Sequence, residues 1–97
     1  MARLLFHPEA QAEYSDAIRW YEERSERAAS RFETEVEHAL ELIRAAPEMF
    51  PRYDDVHRFA LLRRFPYSVI YRELSGQLYV IAVAHSSRSP GYWRHRV

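Results

Sequence analysis

Residues 78–93 limit what this chain can fold into more than any other stretch. Leu78-Tyr79-Val80-Ile81-Ala82-Val83-Ala84 is apolar, β-branched or aromatic almost throughout. That is the composition of a strand buried on both faces at the centre of a sheet. The character changes at His85. From there to Trp93 the chain carries an imidazole, several hydroxyls, the Arg88 guanidinium, a Pro-Gly pair and two large aromatics, and Pro90 with Gly91 stops the strand. Polar side chains at the end of a rigid central strand are a usual place for a working surface. The upstream sequence reads as scaffold for that edge.

Arg3 to Phe6 is a short extended run, the expected first strand. Pro8 suits the first turn of a helix, where its missing N–H leaves no bond unmade. Ala10, Tyr14, Ala17, Ile18 and Tyr21 then recur at helical spacing, with Glu9, Glu13 and Asp16 in the N-terminal half where the helix dipole favours acids. This helix should end near Arg24. Ser25 can cap a second helix, whose apolar face is Ala29, Phe32, Val36, Ala39, Leu40 and Ile43, and Pro47 disfavours helical geometry at Ala46. So short a connection predicts an antiparallel hairpin laid across one face of the sheet. Glu33, Glu37 and Glu41 form a ladder of like charge at i, i+4, which is either a solvated face or one that meets an Arg-rich surface.

Pro47 to Asp55 reads as a loop, Val56 to Leu62 as a strand, Arg63 to Pro66 as a turn and Tyr67 to Leu74 as another strand. Ser75-Gly76 is a two-residue hairpin signal before the strand that starts at Gln77. The expected fold class is α+β, in the order β-α-α-β-β-β, with a helical hairpin packed on a small, mainly antiparallel sheet. Residues 1–97 are expected to form one domain, since a chain of this length with 14% aromatic residues can fill a core without disulfide or metal staples. There is no cysteine, so no thiol chemistry and no need of an oxidising compartment. The N-terminal apolar run is too short for a signal peptide and no segment is long enough to span a membrane. A cytoplasmic protein is expected.

Net charge is zero, but residues 1–50 carry 6 Arg against 11 acids and residues 51–97 carry 8 Arg against 3. The halves therefore stand at −5 and +5. All basic residues are Arg, whose planar fork suits phosphates, carboxylates and aromatic faces, so the sheet half is equipped to recognise anions or acidic partners. No Gly-rich phosphate loop is present. His7, His38, His57, His85 and His95 lack metal-ligand spacing and read as surface or capping residues, so no metal or other cofactor is expected. Nothing resembles a nucleophile elbow. What remains is the group His85, Arg88, Tyr92 and Trp93. His85, Arg88 and Tyr92 could supply base, charge stabilisation and acid for metal-free RNA cleavage. The same residues could equally form a recognition patch, because Arg with Tyr and Trp is the composition of interface hot spots. Trp93 could also be a core lid, its indole against the helical hairpin.

The order of elements, with Arg64-Phe65-Pro66-Tyr67-Ser68-Val69-Ile70-Tyr71 and Val83-Ala84-His85-Ser86-Ser87-Arg88-Ser89-Pro90-Gly91-Tyr92-Trp93, resembles the RelE/ParE superfamily of toxins from type II toxin–antitoxin pairs, over essentially the whole chain. That resemblance implies a toxin neutralised by an antitoxin segment wrapped around it. RelE-like members cleave messenger RNA on the ribosome; ParE-like members inhibit DNA gyrase without being enzymes. The ribonuclease pattern fits badly here. Its basic residues on the second strand align with Phe59 and Leu61, its arginine in the third strand with Ser68, and its arginine after the last strand with Ser86, leaving Tyr92 as the match. Arg58 or Arg88 substitutes only with a shift of register. A basic contact to a transition-state phosphate is worth roughly 2–4 kcal/mol, so these losses point to the ParE-like branch. The expected gyrase-binding surface is Arg88, Tyr92, Trp93, Arg94 and Arg96, and the expected antitoxin-binding residues are Arg58, Arg63, Arg64 and Arg72. A third reading keeps the fold as an interaction module without toxicity.

Overall fold

A computed structural model describes residues 3–96. The chain runs β1 (Leu4–Phe6), α1 (Pro8–Glu22), α2 (Glu26–Ala45), a 3-10 turn over Pro47–Met49, β2 (Arg58–Leu61), β3 (Tyr67–Leu74) and β4 (Gln77–His85). The sheet has four strands in the order β1-β4-β3-β2. β1 joins β4 in parallel, while β2–β3 and β3–β4 are antiparallel, so the mainly antiparallel α+β fold read from the sequence is the one observed. β4 lies inside the sheet, as its apolar run requires.

Local chemistry sets the helix limits. His7 caps α1, its Nδ1 accepting the Glu9 N–H at 3.1 Å, with Pro8 at the first position. Ser25 caps α2 through its hydroxyl and the Ala28 N–H at 3.2 Å. Both helices bury one stripe on the sheet: Ala10, Tyr14 and Ala17 from α1; Phe32, Val36, Ala39, Leu40 and Ile43 from α2. The Phe32 ring lies 5.2, 5.3 and 5.1 Å from the rings of Tyr21, Phe65 and Tyr67, an aromatic cluster that fills the core with few residues.

The acidic ladder on α2 behaves residue by residue. Glu33 and Glu41 are exposed, Glu37 accepts the Tyr14 O–H at 3.0 Å, and it is Glu35, outside the ladder, that meets the Arg63-Arg64 turn. Its Oε1 accepts both of their backbone N–H groups, the Arg64 bond measuring 3.1 Å.

The structure differs from the sequence reading in the loop before β2 and on the far face of the sheet. β2 begins at Arg58 rather than Val56, because the Asp54 carboxylate takes the N–H groups of Val56 and His57 at 3.0 and 2.7 Å and turns the chain there. Pro51–Asp54 then folds back beside β2, with Phe59 N–H on Pro51 O at 3.1 Å. Strand β4 does not alternate simply. Ile70 faces Ala82 but Tyr71 faces Val80, so Ile81 is an extra residue, a bulge. Leu78, Val80 and Val83 therefore face the helices, whereas Ile81 and Ala82 face away. Trp93 packs with Ile70, Ile81 and Ala82 on that outer face. It is a lid, but over the side opposite the helical hairpin, where its ring meets those of Tyr53 at 4.8 Å and His57 at 4.7 Å. His57, expected as a surface or capping residue, is 3% exposed.

Among the described residues no helix is long and apolar enough to cross a membrane, and no group of three or more His, Cys, Asp or Glu residues is placed to hold a metal ion.

Candidate functional site

Strand β1 is too short to cover β4. The His7 N–H to Val80 O bond, 2.9 Å, is the last rung between them, and beyond Val80 no strand among the described residues neighbours that edge of β4. Side chains take over. Glu13, one turn after Ala10 on the buried side of α1, accepts the Val83 N–H at 3.0 Å. Arg96 grips the same carboxylate with both terminal nitrogens, at 2.9 and 3.1 Å, and donates to Ile81 O at 3.1 Å. Tyr92 completes the set, its hydroxyl donating to Glu13 Oε2 at 2.6 Å. An ion pair thus continues the edge where the strand stops, and it fastens the C-terminal segment to α1.

Burial raises the Tyr92 pKa, and the hydrogen bond to and charge of Glu13 raise it further, against the pull of Arg88 and Arg96. Tyr92 is therefore held as a neutral donor directed at Glu13. Burial works against the Arg96 charge, yet the Glu13 carboxylate more than offsets it and raises the guanidinium pKa. In front of this clamp lies a cleft of about 440 Å³ between α1, the β2–β3 turn and the end of β4. Trp20, Tyr21 and Tyr67 wall it, and Arg88 stands at its mouth with its guanidinium 3.9 Å from the Tyr92 ring centre and 4.0 Å from Glu13. His85 is turned inward on itself: Nδ1 accepts the Ser87 N–H at 3.0 Å, and the ring lies edge-on to Tyr67 at 5.0 Å.

The structure thus brings His85, Arg88 and Tyr92 to one cleft, with the Tyr92 hydroxyl committed to Glu13 and His85 Nδ1 to Ser87. Glu13 and Asp16 also line it, which makes the cleft unfavourable for a phosphate. Of the residues expected at the target surface, Arg88 and Arg94 are exposed, with side chains 54% accessible. Tyr92 is half-buried, and Trp93 and Arg96 are buried at 2% and 6%. Trp93 and Arg96 are accordingly removed from the contact surface: one covers the outer core and the other holds the clamp. Trp20, not singled out from the sequence, is 49% exposed beside the cleft, with the Arg24 guanidinium stacked on it at 3.6 Å.

The four arginines expected to meet an antitoxin do not form one patch. Arg58 and Arg72 share a groove of about 640 Å³ with Arg52, Glu48, Asp55 and Glu73, and Arg58 donates to Phe50 O at 2.6 Å. Arg63 and Arg64 sit at the opposite end of β3, in the turn that Glu35 caps. A second polar knot was missed in the sequence. Asp54 accepts from Arg94 Nε at 3.1 Å and lies 3.0 Å from the buried His57 Nδ1. Burial opposes its charge, but the N–H groups of Val56 and His57 and the side chains of His57 and Arg94 hold the carboxyl well below the usual range. Glu13 carried a readable signal, since it lies three residues after Ala10 and four before Ala17, on the buried stripe.

Comparisons with known proteins place this geometry. No curated protein matches the chain. A solved structure described as the chromosomal ParDE TA system from P. aeruginosa superposes with a TM-score of 0.74 at 17% identity, covering 88% of this chain and 96% of that one, a likeness of fold. Residues 4–90 match the family model for the ParE toxin of the type II toxin-antitoxin system, parDE, and the chain belongs to that family.

Proposed function

We propose that this ParE-family chain arrests growth by binding DNA gyrase in the cytoplasm and is neutralised by a cognate antitoxin. The contact surface is the exposed part of the C-terminal edge: Arg88, Arg94 and the accessible side of Tyr92. The observation that carries a binding role over catalysis is the state of the cleft, where Tyr92 and the Arg96 guanidinium are bound to Glu13 and acids line the wall a substrate phosphate would approach. Antitoxin acids would engage two separate places, Arg63 with Arg64 and Arg58 with Arg72, while its apolar side chains cover Trp20 and the exposed Leu61.

RNA cleavage stands as the second reading because His85, Arg88 and Tyr92 do line one cleft. Inducible expression of the chain alone separates the two. Gyrase binding predicts that thymidine incorporation falls before amino-acid incorporation, and that the purified chain inhibits supercoiling by gyrase. The Arg88→Glu, Arg94→Glu double variant should lose about tenfold or more in that inhibition, the scale of ~1.4 kcal/mol, whereas His85→Ala should retain it. Protein synthesis stopping first would return the cleft to catalysis. Soluble accumulation without arrest would leave an interaction module.

A further inference from the structure

The N-terminal half of α2 and the β2–β3 turn enclose a groove of about 580 Å³ that takes no part in the clamp or the cleft. Arg27, Arg31, Arg64 and His38 line it, with the hydroxyls of Ser30 and Thr34 and the carboxylate of Glu35. Among the described residues none of the three arginines makes an ion pair. An acid was within reach: Glu35 lies four positions after Arg31, the helical spacing that favours a pair. Its Oε1 instead accepts the backbone N–H groups of Arg63 and Arg64, which anchors the turn carrying Arg64 against α2. Arg27 and Arg31, themselves four apart, repel one another on the helix surface. Three cations thus stand around one groove against the single carboxylate of Glu35, and two of them, Arg27 and Arg31, lie in the half of the chain where acids outnumber arginines 11 to 6.

We propose that this groove binds an extended acidic peptide segment of a partner protein, with carboxylates at alternate positions. Arg27 and Arg31 are about 6 Å apart along the helix axis, close to the ~7 Å between side chains on one side of an extended chain. The guanidinium forks offer each carboxylate paired donors. The surroundings select a peptide over a nucleic acid. No aromatic side chain lines the groove, so bases would find no stacking platform. Glu33, Glu37 and Glu41 run along the neighbouring flank of the same helix and share the Ser30, Thr34, His38 ridge. They repel a continuous phosphate backbone, whereas a peptide can place its charges on the basic flank alone. Arg64 is the one residue shared with the antitoxin contact proposed above, and failure here leaves the gyrase test unaffected.

The test is fluorescence anisotropy of the full chain with three labelled probes at low salt: a peptide alternating Glu and Ala, its counterpart with Gln for Glu, and an oligothymidylate. The Glu peptide should bind saturably and more weakly as salt rises, and the Gln peptide should not bind. Arg27→Ser with Arg31→Ser should weaken the Glu peptide about tenfold or more, whereas Arg19→Ser on α1 should not. Both variants change exposed side chains, so circular dichroism should report an unchanged fold. No saturable binding, or equal binding by the double variant, overturns the proposal. Tighter binding of the oligothymidylate through the same arginines overturns it in favour of nucleic acid.

Discussion

Asp54 shows how one short side chain can settle the course of a loop. It ends the approach to β2 by accepting two backbone N–H groups, orients the buried His57 and draws in Arg94 from the C-terminal segment. Because its folded-state pKa is lowered, its contribution to stability is complete above the ordinary aspartate value of about 3.9 and drains away as pH falls below it. Asp54→Asn should therefore be less stable than the parent near neutrality, and the gap should narrow as pH falls from about 4 towards 2, where the unfolded chain takes up a proton that the folded carboxyl resists. Urea midpoints across that range measure it; a gap of constant size would show that the charge is immaterial. Little in the sequence announced this role, since Tyr53-Asp54-Asp55 reads as loop punctuation and the partners of Asp54 include a residue 40 positions away.

At the scale of elements the sequence was most legible where signals are local. Helical spacing, the Ser25 cap and Pro47 located both helices, and Tyr67–Leu74 emerged with the limits expected. The Ser75-Gly76 hairpin turn did too, with φ of +53° and +77°, the left-handed pair that a two-residue hairpin requires. Serine is strained there. Ser75→Asn should raise stability by about 0.5 kcal/mol, read as a higher urea midpoint with unchanged slope; a lower midpoint would mean the serine has an unseen role. Features that depend on pairing were not legible. Strand β1 could have joined either edge, and the bulge at Ile81 decides which face Trp93 covers without leaving a trace in local composition.

For the molecule as a whole, the opposition between an acidic first half and a basic second half is answered partly from within. Glu13 joins Arg96 and faces Arg88 across it, so some of the charge that suggested partners instead closes the fold, while Arg27, Arg31 and Arg64 stay unpaired. The Glu13 and Arg96 side chains are 16% and 5% exposed, and removing one member of such a pair leaves the other buried and uncompensated. Glu13→Gln should cost about 3–5 kcal/mol, a large share of the ~5–15 kcal/mol typical of a domain. A loss under about 1 kcal/mol in chemical denaturation would mean that Glu9, 3.7 Å from Arg96, suffices as its counter-charge.

That link joins positions 83 residues apart, and it has a consequence in time. Contacts so distant along the chain form only after the intervening sequence exists and its loop has closed. While the chain is being made, α1 can coil and the helices can pair, but the edge beside Val80 stays open until Arg96 has been added. Closure of that edge, and any function that depends on it, therefore waits until residue 96 has been synthesised.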